Sequence, residues 1–347
     1  MKSSITICFS ILIVFFYGSS AAAATLAEQY TSLAIQGDLR QARALFELAE
    51  PALSPADREL AMLFHRRFIE RSEPPSQRSG NTLIDEITAV YRDHWADSLL
   101  SSNATADPNA PANALLDTLR AHGWPGLVEP PAAASDTFEL VEAALAAQGV
   151  HALAVPAPPL QDLLIWNTQA TSEFEVELTD TVRSVRVVFM SDFYSQGWKH
   201  FATLGLATTT GWVEHGMLYC VEWAYAPGTE TFDVSYLKHE TRHLADLEQF
   251  PGLPSVDLEY RAKLTELAFA SSTQRRLLDD FTAKSAANPH APHAEANDRV
   301  TRDLWRELYG KPFEGGEQAW MSVSRGKVNR AARRLLERNT AELMRRR

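Results

Sequence analysis

Five residues constrain this chain more than any other stretch: His239-Glu240-Thr241-Arg242-His243, an HExxH pattern set in a helical periodicity. On a helix, residues four apart lie on one face, so His239 and His243 can direct two imidazoles at one metal ion. Glu240 stands beside the first of them and reaches a water held by such an ion. The pattern asks for a helix, for a second element that brings a third ligand, and for a core around both. A five-residue pattern gains meaning only from its surroundings.

The surroundings are those of a globular, exported protein. The 347 residues suffice for one large or two ordinary domains. At 45% hydrophobic and 22% charged, the composition is globular, and a net charge of -11 argues against general nucleic-acid binding. Residues 1–24 read as a signal peptide. Lys2 supplies the positive start, the apolar run Ile5 to Tyr17 is too short for an ordinary membrane span, and Ala22 and Ala24 fit a cleavage site. Cleavage before Thr25 leaves no stable membrane anchor and implies a periplasmic or secreted location. It also removes Cys8. Cys220 is then alone in a strand-like apolar stretch and reads as a buried small residue.

The chain reads as α+β. Residues 25–155 form a helical N-terminal region: Leu26 to Ile35, Leu39 to Ala49, a helix opened by Ser54-Pro55, Leu83 to Leu100, and shorter helices at Asn113 to His122 and Thr137 to Gln148. The stretch Val155-Pro156-Ala157-Pro158-Pro159 reads as a link. Residues 160–282 then change character. Phe174, Val176 and Leu178 alternate with glutamates, Val185, Val187 and Phe189 follow, and Thr179-Asp180 makes a hairpin turn. Asp192 is placed to cap a short helix through Leu204. Strands follow at Ala207 to Val213 and Met217 to Ala226. The HExxH helix spans about Phe232 to Phe250, Pro251-Gly252 stops it, and a long helix runs from Ser255 to about Leu278. Residues 283–347 form a polar loop with His290 and His293, then a basic helical C-terminal region. Its basic face reads as solvated, with an acidic partner as the sharper alternative.

A small mixed or antiparallel sheet, an HExxH helix and a following carboxylate-bearing helix resemble the zincin metallopeptidases, in their gluzincin-like form, over about a third of the chain. The resemblance implies a zinc-dependent hydrolase acting on a peptide or protein substrate. It would place Zn2+ on His239, His243 and a third ligand, with Glu240 as general base. The metzincin extension is absent, since Asp246 and Gln249 stand at its glycine and histidine positions. The third ligand therefore falls on the next helix. Glu259 is favoured by the compact turn, with Glu266 and Asp257 as alternatives. Lys263 stands where the best-known gluzincins carry an acidic residue. Tyr260, Tyr236, Tyr225 and His215 are candidate oxyanion donors, and Asp246 either orients a ligand or is solvated. The Ala207 to Tyr225 hairpin would offer an edge to a substrate strand, with Trp212 and Trp223 lining the cleft or packing in the core. Two other readings stand beside this one. The first is a zincin-like protein that holds metal without hydrolysis. The second is a helical scaffold in which HExxH is coincidental.

Overall fold

Local capping rules set the first helices. Thr25 accepts from the Glu28 N–H, and Glu28 takes the Thr25 N–H in return, closing a capping box on α1 (Leu26–Ile35). After α2 (Leu39–Ala49), Ser54 caps α3 (Pro55–Phe64), with Pro55 in the first turn where no N–H is needed. Asn81 caps α4 (Thr82–Leu100) through two N–H groups. α5 (Pro111–Ala121) and α6 (Ala134–Ala147) complete the helical region. The structure is a computed structural model that describes residues 9–13, 25–49, 53–72, 78–101, 110–125, 133–284 and 292–346. Most of the expected signal peptide lies outside the described residues, as does His290. The exception is Phe9–Ile13, which is strand β1. Among the described residues, no helix is long and apolar enough to cross a membrane.

The remaining strands are β2 (His151–Ala157), β3 (Leu160–Glu177), β4 (Val182–Gln196), β5 (Ala207–Glu214) and β6 (Met217–Val221). They lie in one sheet in the order β1-β5-β6-β4-β3-β2, and the fold is α+β. The chain divides into two units. One comprises Ile11–Gln169 and Met190–Thr209, the other Met1–Ser10, Ala170–Phe189 and Thr210–Arg347. β1, β3, β4 and β5 contribute residues to both.

In the first unit the Pro-rich stretch is a strand and not a link. β2 pairs antiparallel with β3, Val155 opposite Asp162 and Ala157 opposite Leu160. Buried tryptophans fasten helices to these strands: Trp95 donates to the Gln161 carbonyl at 2.8 Å, and Trp198 to that of Ala157 at 2.8 Å. Asp162 is buried beneath α7 (Gly197–Ala202) and accepts the Trp198 N–H at 2.7 Å. Gly197 at φ +83° leaves this carboxylate its room, since a Cβ there would sit 2.4 Å from Oδ1. Asp192, expected as the cap of this helix, instead accepts from Thr168 at 2.7 Å. The helix starts five residues later, at Gly197.

In the second unit β5 and β6 form a hairpin with His215 and Gly216, both at positive φ, in its two-residue turn. Trp212 stacks on Tyr219 across it, with centroids 5.1 Å apart. Trp212 is thus core, while Trp223 is exposed. β6 lies between β5 and β4, while β5 is flanked on its other side only by β1, which falls within the expected signal peptide, so β5 is the hairpin strand that would offer a free edge once residues 1–24 are cleaved. A π-helical segment, Thr231–Lys238, leads into α8 (His239–Gln249). α9 (Ser255–Phe269) follows, and every residue from Leu258 to Ala268 is buried. The single helix expected from Ser255 to Leu278 is broken. Glu230 takes the N–H groups of Ser271, Ser272 and Thr273, and α10 (Gln274–Lys284) starts anew. α11 (Pro292–Tyr309) occupies much of the expected polar loop, and α12 (Arg325–Arg345) closes the chain. Part of its basic face is spent internally: Arg334 and Arg338 both hold Glu307.

Candidate metal centre

A helix buried on every side must find a partner for each charge it carries. α9 carries Glu259, Arg261, Lys263 and Glu266 within its buried stretch. Their partners define the site.

Glu259 meets the two histidines of α8. Its Oε1 lies 3.3 Å from His243 Nε2, and its Oε2 lies 3.7 Å from His239 Nε2. The two Nε2 atoms face each other at 3.0 Å, with the rings nearly perpendicular at 84°. One ligand atom from each of His239, His243 and Glu259 falls within 4.8 Å of the others, all three residues being buried. Glu266 accepts from His239 Nδ1 at 2.8 Å, leaving Nε2 to face inward. This is the ordinary support for a metal-binding imidazole. His243 Nδ1 has no hydrogen-bond partner among the described residues.

The favoured third ligand, Glu259, is thus brought to both histidines. The two alternatives are placed elsewhere. Glu266 serves His239 from behind, and Asp257 pairs with Arg299 at 2.6 Å. Asp246 is neither a ligand's support nor solvated. It is fully buried between Arg242 at 2.9 Å and the Arg261 fork at 2.8 and 3.0 Å. Arg261 continues to Asn339 and Thr340, fastening α8 and α9 to α12.

Two residues join the site that the sequence reading set aside. His293, in the first turn of α11, brings Nδ1 to 2.9 Å from Glu259 Oε2. Lys263, one turn along α9, lies 3.6 Å from the same oxygen. The start of α11 had a signal: Pro292 suits a first helical turn, and Ala296, Val300 and Leu304 recur every four residues.

The electrostatics follow from these neighbours. Burial works against ionisation of Glu259, but the charge of His293 and the hydrogen bonds from His243 and His293 outweigh it and hold the carboxyl well below its usual range. Burial likewise opposes protonation of His239, and the Glu266 hydrogen bond and charge overcome it, raising the imidazole.

Glu240 is fully buried. Its charge is felt by the hydroxyls of Tyr225 and Tyr236, both raised chiefly by burial. Of the four candidate oxyanion donors these two are near it. Tyr260 instead gives its hydroxyl to Asp303 under the Arg299 guanidinium, and His215 is exposed in the hairpin turn. Cys220 packs in the same core, and burial pushes its thiol up to about 12. Comparison with protein-family models, with curated proteins and with solved structures finds no match to this chain.

The residues fit a metal on chemical grounds. Two imidazole nitrogens and one carboxylate oxygen converge, one imidazole is held from behind, and a buried carboxylate follows the first histidine in sequence. That donor set could hold a divalent transition-metal ion.

Proposed function

We propose that this protein is a zinc-dependent hydrolase acting on a peptide or protein substrate, with a zincin-like arrangement in its second unit. The observation that carries the reading is the convergence of His239, His243 and Glu259 from two consecutive helices. His239 and His243 would hold the ion through Nε2 and Glu259 through a carboxylate oxygen. The bound ion supplies a Lewis acid that acidifies its water. Glu240 would be the general base, taking a proton from the attacking water and returning it to the leaving amine. Glu266 keeps His239 in the tautomer that presents Nε2. Tyr225 and Tyr236, phenols raised by burial and close enough to feel the Glu240 charge, are the candidate donors for the developing oxyanion. Residues 1–24 would export the chain to the periplasm or beyond.

Zinc content of the protein purified from residue 25 onward, with activity on a quenched peptide library, tests this. About one zinc per chain is expected, lost in His239→Ala. Glu240→Gln should keep the zinc and lose on the order of 10²–10⁴-fold in rate. A wild-type protein that takes up no zinc even after loading would end the proposal.

A second reading has its own observation. His239, His243, Glu240 and Glu259 are all buried, whereas a catalytic metal keeps one position open. On that reading the centre holds metal without hydrolysing peptides, and wild type and Glu240→Gln would be equally inactive with zinc bound.

A further inference from the structure

Glu259 has two oxygens in different settings. Of the two HExxH imidazoles, His243 brings Nε2 to 3.3 Å from Oε1, the closer approach, and His239 brings Nε2 to 3.7 Å from Oε2. Oε2 is 2.9 Å from His293 Nδ1 and 3.6 Å from Lys263 Nζ. These two groups reach it from different elements. His293 comes from α11, and Lys263 comes from the next turn of α9, where its ammonium also lies 4.9 Å from the Phe281 ring centroid. His293 is not itself one of the three donors that converge. It is about one-third exposed at the side chain, beside a carboxylate that is 5% exposed, and so is the more solvent-accessible of the two.

We propose that His293 and Lys263 are positioning residues that hold the outer oxygen of Glu259, so that this carboxylate meets the metal through its inner oxygen alone. The proposal rests on the metal-centre reading above and deepens it. A carboxylate left to itself can give a cation one oxygen or two. With both oxygens on the ion, His239, His243 and Glu259 fill four positions. With one oxygen held by these two ion-pair contacts they fill three, and the fourth stays open for water and then substrate. The pair also explains Lys263, a cation where the best-known gluzincins place an acid. In this chain it steadies the ligand directly from the same helix.

The test uses the full mature chain loaded with Co2+, whose visible absorption reports coordination number. Wild type, His293→Ala, His293→Gln and Lys263→Met are compared for cobalt stoichiometry, affinity and spectrum. Each should bind one cobalt. His293→Ala should weaken cobalt affinity by about 10–100-fold and shift the spectrum towards higher coordination. His293→Gln, whose amide N–H can reach the same oxygen, should restore both readouts. Lys263→Met should change the spectrum in the same sense by less. An unchanged spectrum and affinity in His293→Ala overturns the positioning role while leaving the metal centre standing. Loss of stoichiometric cobalt in both His293 variants also overturns it, because His293 would then be a ligand. A wild type that binds no cobalt removes the metal centre and this inference together.

Discussion

Asp162 in the first unit and Glu259 in the second are both buried carboxylates, 2% and 4% exposed, and their surroundings drive them in opposite directions. Asp162 rests on backbone N–H groups of Leu163 and Trp198, with the charge of Lys199 opposing its burial only in part. Burial wins there, and its pKa rises from 3.8 to about 6. Glu259 sits against His243 and His293, and it falls well below the usual range. Backbone dipoles let a carboxylate be buried. Cationic or cation-forming side chains keep it ionised. Strongly held ionisation is a requirement for a metal ligand and not for a packing residue, so the contrast separates a site from a core.

The strongest way to break the contrast is to remove a cation from the second unit. Arg261 is fully buried and grips Asp246 with two donors while reaching Asn339. Arg261→Ala leaves Asp246 with Arg242 alone and should cost about 3–5 kcal/mol, read as a drop in urea midpoint. Arg261→Lys should recover only part of that, because a lysine cannot reproduce the fork. Full recovery by lysine would mean that charge alone matters there.

The first unit should respond to pH instead. Asp162 has a folded pKa raised above its unfolded value, so its neutral form is the one the fold prefers. The associated stability is complete below 3.8 and is lost as pH rises through about 6. That displacement amounts to about 3 kcal/mol at neutral pH. Asp162→Asn keeps an oxygen for the Trp198 N–H and removes the charge. Its urea midpoint should vary less between acid and neutral pH than that of wild type, and should exceed wild type at neutral pH. Parallel pH profiles for the two proteins would show that another group sets the dependence.

The uneven legibility of the two units has the same origin. α1 and α2 were readable from their apolar periodicity on either side of Gly37-Asp38, and α3 because Ser54 and Pro55 act within one turn. The HExxH histidines were readable because spacing on a helix fixes which side chains share a face, and Glu259 because the short turn at Pro251-Gly252 brings the start of the next helix nearest. What local rules could not show was burial from all sides. Asp246 looked like a solvated or supporting acid, yet it lies between two arginines, one from another helix. His293 looked like part of a surface loop because its partner, Glu259, lies 34 residues earlier in the chain. The pairing of β2 with β3 was hidden by Pro156, Pro158 and Pro159, which read as a link although the strand runs on to Ala157.

The smallest expected effect concerns the break between α9 and α10, where a distant residue also overrode a local pattern. The sequence continues as a helix through Ala270-Ser271-Ser272-Thr273, but the N–H groups and hydroxyls of Ser271, Ser272 and Thr273 turn to Glu230. Glu230 therefore caps α10 from 41 residues away as measured to Ser271. Burial opposes its ionisation, but the hydrogen bonds from Ser271 and Ser272 together outweigh it and hold the carboxyl far below its ordinary value of 4.5. A depressed folded pKa gives stability that is present above 4.5 and lost as pH falls towards the folded value. Glu230→Ala should cost about 1 kcal/mol at neutral pH, the scale of a lost helix cap. The gap between wild type and variant should narrow in strong acid. A gap of the same size in acid would mean that Glu230 holds the break by shape and not by charge. It would also place this acid with Asp162, as a carboxylate the fold tolerates, and not with Glu259, as one it keeps ionised.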